Sequence, residues 1–274
     1  MEVIPPVKDS AVIKTVSDTA KTVLENPEQK ETGSVTGIEF AFCNEAGTQL
    51  LALADSLADP SSLTKSFSDE RKLIPVSFVK KRIADKEDNG RQTYYNFEKC
   101  GGYFFETTSG KVSHDSSNVL LSEKFLKERK LVSLVPNNST NIPGPLRMRI
   151  EQSKARKIKK FKCLGQIDNA SCFYIIEFER KKDSCLAALV YINKEKFVWL
   201  NFPAKYNDIS VWRVDDGGEF GVDYYNLLTV FEYKGIIEIV VDWIGAEGFS
   251  IEFLREKGNE FKSMKGSYRY AAPL

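Results

Sequence analysis

The sequence predicts a mostly β protein of the α+β class, with an antiparallel β-meander in its C-terminal half and a smaller α+β part before it. Three observations carry this expectation. After residue 146, short runs rich in β-branched and aromatic residues recur at near-regular spacing. The connections between them, such as Lys181-Lys182-Asp183 and Asn193-Lys194-Glu195, are short and polar, so successive strands should be antiparallel neighbours. All three tryptophans, Trp199, Trp212 and Trp243, fall in this region, where large aromatics suit a sheet core.

The chain has 274 residues, 42% hydrophobic and 28% charged, with 39 Lys+Arg against 38 Asp+Glu. At roughly 150 residues per domain this is one large or two modest domains with enough apolar material for a core. The balance excludes wholesale disorder, a collagen-like fibre and a small disulfide-stapled scaffold. Its longest nearly apolar runs, such as Ile236 to Ile244, fall far short of the roughly 18 residues of a membrane-spanning helix. Met1 is followed by Glu2-Val3-Ile4-Pro5-Pro6, with neither a positively charged start nor an apolar run, so no signal peptide is read here.

Residues 1–34 contain no aromatic residue and read as a flexible N-terminal tether. A polar lead-in of this kind suits an exported protein held away from a membrane, periplasmic or in the cell envelope with its signal removed; otherwise the chain is cytoplasmic. Residues 35–140 form the expected α+β subdomain. Ile38, Phe40 and Phe42 alternate with smaller or polar residues as in a half-buried strand. Leu50, Leu53, Ala54 and Leu57 have helical spacing after a capping Thr48, and Ser61 to Glu70 reads as a second short helix. Ile74 to Ile83 fits helix and strand equally. Thr93 to Phe97 and Tyr103 to Thr107 read as a hairpin across Gly101-Gly102. Ser122 can cap a helix through Phe125, Leu126 and Leu131, and the Pro and Gly residues of 136–146 mark the boundary to a β-rich domain over 146–274. In that domain strands are expected at Lys159–Gly165, Cys172–Arg180, Cys185–Asn193, Lys196–Asn201, Tyr224–Tyr233, Gly235–Trp243 and Phe249–Arg255, with Lys265–Tyr270 as a last edge strand. A barrel, a sandwich and propeller-like blades all fit this pattern.

Chemistry-bearing motifs are sparse. Gly-x-Ser-x-Gly, the P-loop and the dinucleotide fingerprint are all missing from the sequence. His114, in a polar turn, is the only histidine, and five cysteines without Cys-x-x-Cys spacing do not suggest a zinc or thioredoxin-like site. Most of those cysteines read as small buried apolar residues, with a disulfide between Cys163 and Cys172 or Cys43 and Cys100 open to an exported protein.

One acidic cluster stands out. Asp215, Asp216, Glu219 and Asp223 surround Gly217-Gly218 and Gly221, a composition that suits calcium, though without the EF-hand order; a solvated turn explains it as simply. No other cofactor is implied. Trp212 and Trp243 flank Asp215, Asp216 and Glu247, which together form a candidate ligand site: tryptophan for stacking, carboxylates for hydroxyls or a cation. A carboxylate pair among Asp215, Asp216, Asp242 and Glu247 is the alternative, a glycan hydrolase.

Between Arg147 and Lys162, eight basic residues face one acid, with Arg156, Lys157, Lys159 and Lys160 as candidate anion-binding residues. Phe161 is the only aromatic within the stripe, and residues 215–260 carry eleven acids against three bases, so internal neutralisation competes with nucleic acid or an anionic surface. The reading that joins these observations is a non-catalytic binding or interaction protein, set in a bacterial cell envelope, with a protein or glycan partner.

Overall fold

A computed structural model describes residues 35–135, 141–168, 170–194, 196–208, 220–245 and 247–272. The proposed tether lies outside the described residues. The fold is mostly β and almost entirely antiparallel, as the composition implies.

The first body is a closed barrel of six strands. These are β1 (Ile38–Cys43), β2 (Gln49–Ala52), β3 (Leu63–Phe67), β4 (Leu73–Arg82), β5 (Gly102–Thr107) and β6 (Asn118–Ser122), in the spatial order β1-β2-β5-β4-β3-β6. Ala41, Cys43, Leu50, Val76, Phe105 and Leu120 fill its interior, as small barrels require. Two expected helices are strands instead. Leu50 to Ala52 lies in β2, because Leu50 buries into the barrel and Leu51 against Phe97 and Phe104 outside it, while their backbone pairs with β1 and β5. Residues 63–67 are β3 after a single 3-10 turn at Pro60–Ser62. The expected hairpin also fails on one side: Tyr94–Asn96 is a 3-10 turn, while β5 pairs with β2 and β4.

Ser122 does cap a helix, α1 (Glu123–Lys127), accepting a hydrogen bond from Phe125 N at 3.1 Å. The helix stops early, and Leu131 belongs to β7 (Lys130–Val132), the first strand of a second sheet. That sheet adds β8 (Ile158–Asp168), β9 (Ser171–Phe178), β10 (Ser184–Asn193), β11 (Lys196–Lys205), β12 (Tyr225–Tyr233), β13 (Ile236–Ile244), β14 (Gly248–Lys257) and β15 (Glu260–Tyr270). Its order is β7-β12-β13-β14-β15-β11-β10-β9-β8. Two antiparallel meanders therefore meet where β15 lies parallel to β11 at Trp199 and Glu260. The last strand is thus not an edge in the strand order. Val135 and Gln166 exchange backbone hydrogen bonds of 2.7 and 3.0 Å, so the two ends of the sheet approach each other and it curls like a barrel.

Alternation along β10 shows why its sequence is apolar throughout. Cys185, Ala187, Leu189 and Tyr191 face the curled interior, while Ala188, Val190 and Ile192 pack outside against Ile150 of α2 (Gly144–Lys154). That helix starts at Gly144-Pro145, where the missing proline N–H has no helical partner to lose. A further apolar cluster joins the two bodies: Ile38, Phe40, Leu121 and Phe125 pack on Phe231, Val240, Ile251 and Phe253. All five cysteines are free thiols, so neither expected disulfide forms; Cys43 packs inside the barrel and Cys100 outside it beside Phe97. Among the described residues no helix is long and apolar enough to cross a membrane.

Candidate functional site

Of the residues singled out in the sequence, Trp212, Asp215, Asp216 and Glu219 lie outside the described residues, and with them the core of the calcium and ligand expectations. Asp223 is exposed on a 3-10 turn, its carbonyl accepting from Lys162 Nζ at 3.0 Å. Trp243 packs against the core of the second body with part of its surface exposed, and Glu247 is exposed in the β13–β14 connection. Among the described residues no group of three or more His, Cys, Asp or Glu side chains is placed to hold a metal ion.

The basic stripe is largely engaged within the protein. Arg156 donates to Ser184 O and Ser184 Oγ, each at 2.7 Å, Lys157 pairs with Glu151 at 2.7 Å and Lys159 with Glu177 at 2.8 Å. Lys160 is exposed on β8. Glu151 and Glu177 come from the stripe's own helix and the neighbouring strand, while Asp223 and Glu260, from residues 215–260, act on Lys162 and Lys154.

Two depressions stand out. One, of about 670 Å³, opens at the hairpin end of the curled sheet, where Lys130 pairs with Glu232 and Lys196 with Glu256. The other, of about 390 Å³, lies between the bodies and within the usual range of small-molecule sites. Its lining comes from three places: the 89–99 segment, the His114-Asp115 loop, and the ends of β14 and β15 at Phe249, Arg269 and Ala271.

The 89–99 segment is held from below. Asn96 is buried and donates to Asp88 Oδ1 at 2.7 Å and Arg91 O at 2.9 Å, while Phe97 is wholly buried against Phe42 and Phe104. Arg82 stacks on Phe97 and Phe104 and donates to Cys100 O at 2.8 Å. With Asn96 and Phe97 turned inward, Tyr94 and Tyr95 stay outside. Their ring centres lie 3.9 Å apart with the planes tilted by 35°, and Tyr94 meets the His114 ring edge-on at 5.0 Å. The Tyr94 phenol is pushed up to about 12, first by its hydrogen bond with Tyr95 and then by burial and nearby acids. Tyr95 remains 81% exposed.

The His114 loop is clamped from both bodies. From the barrel, Cys43 Sγ donates to Ser113 O at 3.2 Å and Asn118 Nδ2 to the same oxygen at 2.9 Å. Burial pushes the Cys43 thiol up to about 12, so it stays protonated and keeps that role as a donor. From the second body, Asp242 Oδ2 accepts from Ser117 N at 2.7 Å and Arg269 Nη1 donates to Ser116 O at 3.3 Å. Arg269 sits over the Phe249 ring, 3.7 Å from guanidinium carbon to ring centre. The bodies are also tied at the cleft's rim, where Gln92 N donates to Tyr270 O at 2.7 Å and Arg91 Nε to Ala272 O at 2.6 Å.

The arrangement offers aromatic faces, amide and imidazole hydrogen-bonding groups, and cations on a rigid frame. Among the described residues Asp115 is the one carboxylate of the lining, and it pairs with His114 at 3.2 Å. Sequence reading placed Tyr94 and Tyr95 in a strand and Arg269 in a terminal one; the available signal was the Asn89-Gly90 turn before an aromatic pair. Compared with models of protein families, with curated proteins and with solved structures, the chain matches none.

Proposed function

We propose that the protein is a non-catalytic binding protein whose inter-body cleft receives a saccharide ring, the partner class an envelope protein would meet. The observation that supports this is Tyr95. Tyr95 is 81% exposed and its ring centre lies 3.9 Å from that of Tyr94, so the two rings form an aromatic patch beside a formed cleft. A pyranose has an apolar C–H face and a rim of hydroxyls, which calls for an aromatic face edged by donors and acceptors. Tyr94 and Tyr95 offer the face, and Asn89, Gln92, His114 and Asp115 offer the rim.

The two other readings have less support. A glycan hydrolase needs two carboxyls across the cleft, and among the described residues the lining holds Asp115 alone. A phosphate-tracking surface needs uncommitted cations, whereas Arg156, Lys157 and Lys159 have internal partners.

The test is titration calorimetry with a panel of mono- and oligosaccharides against the wild type, Tyr95→Ala and Tyr94→Ala. An aromatic contact of about 1.5 kcal/mol corresponds to about tenfold in affinity, so Tyr95→Ala should weaken binding by that order. Its melting temperature should stay close to that of the wild type, because the ring is exposed. Binding unchanged in both variants would remove the cleft from this role.

A further inference from the structure

We infer that the ligand of this cleft is anionic, a ring bearing a carboxylate or phosphate, and that Arg269 receives the charge; this rests on the cleft being the binding site proposed above. Arg269 forms part of the cavity wall yet is only 4% exposed. A guanidinium has five N–H donors and is stable in a buried place when carboxylates or several carbonyls satisfy them. Here one donor meets Ser116 O at a long 3.3 Å, and the buried Nε has no acceptor among the described residues.

The nearest internal anion does not complete the pairing. Asp242 spends Oδ2 on Ser117 N, its Oδ1 is buried without a donor, and it makes no hydrogen bond to Arg269 among the described residues. Phe249 covers one guanidinium face and excludes water from it. Asp242 attracts Arg269 without hydrogen-bonding to it, so a ligand anion at this wall would supply the charge-assisted hydrogen bonds that Asp242 does not. Of the other charges in the described lining, Arg91 adds a positive one, Lys99 is paired with Glu87 at 3.2 Å and Asp115 with His114. Arg91 uses Nε on Ala272 O, and its two terminal nitrogens remain for a ligand.

A sugar acid and a nucleotide share this chemistry, a flat-faced ring with an anionic group, and four probes separate them. Binding of glucuronate, glucose, AMP and adenosine to the full chain should be measured by calorimetry at one moderate salt concentration. In the expected result glucuronate binds at least about tenfold more tightly than glucose, and Arg269→Gln removes that preference while leaving weak glucose binding. Equal affinity for glucose and glucuronate would overturn the anion and keep the saccharide. AMP binding well above adenosine, with neither sugar bound, would keep the anion and overturn the saccharide. Binding of none of the four would overturn both. Should Arg269→Gln fail to fold, the comparison of charged and neutral probes on the wild type decides alone.

Discussion

Asp242 concentrates the conflict between burial and function at the level of a single side chain. It is fully buried and holds the Ser117 amide at 2.7 Å, which fixes the loop carrying His114 against the second body. Burial raises its pKa above the ordinary carboxylate value, and the Ser117 N–H and the Arg269 charge oppose that rise without cancelling it. A carboxyl whose folded pKa is raised contributes stability below the unfolded value of about 3.9, and that contribution is lost as pH rises through the folded value. Asp242→Asn keeps an oxygen for Ser117 N and removes the titration. Wild-type stability should therefore fall relative to this variant as pH rises above about 4, by at most about 1.4 kcal/mol per pH unit. Arg269 stays charged throughout, so losing its neighbour offsets the variant's curve without changing this difference in slope. Urea unfolding at a series of pH values checks it, and parallel curves for the two proteins would mean that Asp242 does not titrate differently on folding.

At the next scale, the entry to α1 shows how a short element depends on backbone conformation. Gly37 has φ +81°, and a Cβ there would lie 2.3 Å from Ser122 Oγ, the oxygen that caps Phe125 N. Gly37→Ala should therefore cost more than the roughly 1 kcal/mol of losing the cap in Ser122→Ala, because it adds backbone strain to the same lost bond. Chemical denaturation of both variants measures the order, and a milder Gly37→Ala would contradict it. Ser122 was readable in the sequence because capping is local. The meander strands were readable too, since β10, buried on both faces, leaves an unbroken apolar run between polar turns. Leu50, Leu53, Ala54 and Leu57 misled, because their helical spacing is accidental and the strand at 49–52 is chosen by pairing with residues 41–43 and 104–106. The cleft was illegible for a related reason. Tyr94 and Tyr95 become a platform only because Asn96 and Phe97 anchor the turn beneath them, and Arg269 reaches it from the other end of the chain. No window of sequence contains both facts.

For the whole molecule, the question is whether the barrel and the curled sheet behave as separate units. Inter-domain contacts are commonly polar and permit relative motion. Here the contact is an aromatic core: Phe125 meets Phe231 at 5.3 Å and Phe253 at 5.7 Å, nearly edge to face, and all three rings are buried. Around it Arg129 stacks on Phe125 and pairs with the buried Glu238 at 2.7 Å, while Glu238 also holds Arg255 at 2.6 Å. Lys265 crosses from β15 to donate to Ile38 O at 2.9 Å. Breaking the contact would expose these rings and leave Glu238 with one fewer partner, so the intact interface should make unfolding of residues 35–272 a single calorimetric transition. Phe253→Ala removes a ring from the centre of the interface at a cost of about 3–5 kcal/mol. That loss falls on the contact itself, so the variant should show a lower and broader melting profile, with the barrel and the sheet separating into two steps. The cleft spans the same two bodies, and its ligand should therefore raise the single wild-type transition but only part of the Phe253→Ala profile. Two resolved transitions in the wild type would mean that the aromatic core does not couple the bodies, and the cleft would then have to be read as a hinge between independent units rather than a fixed site.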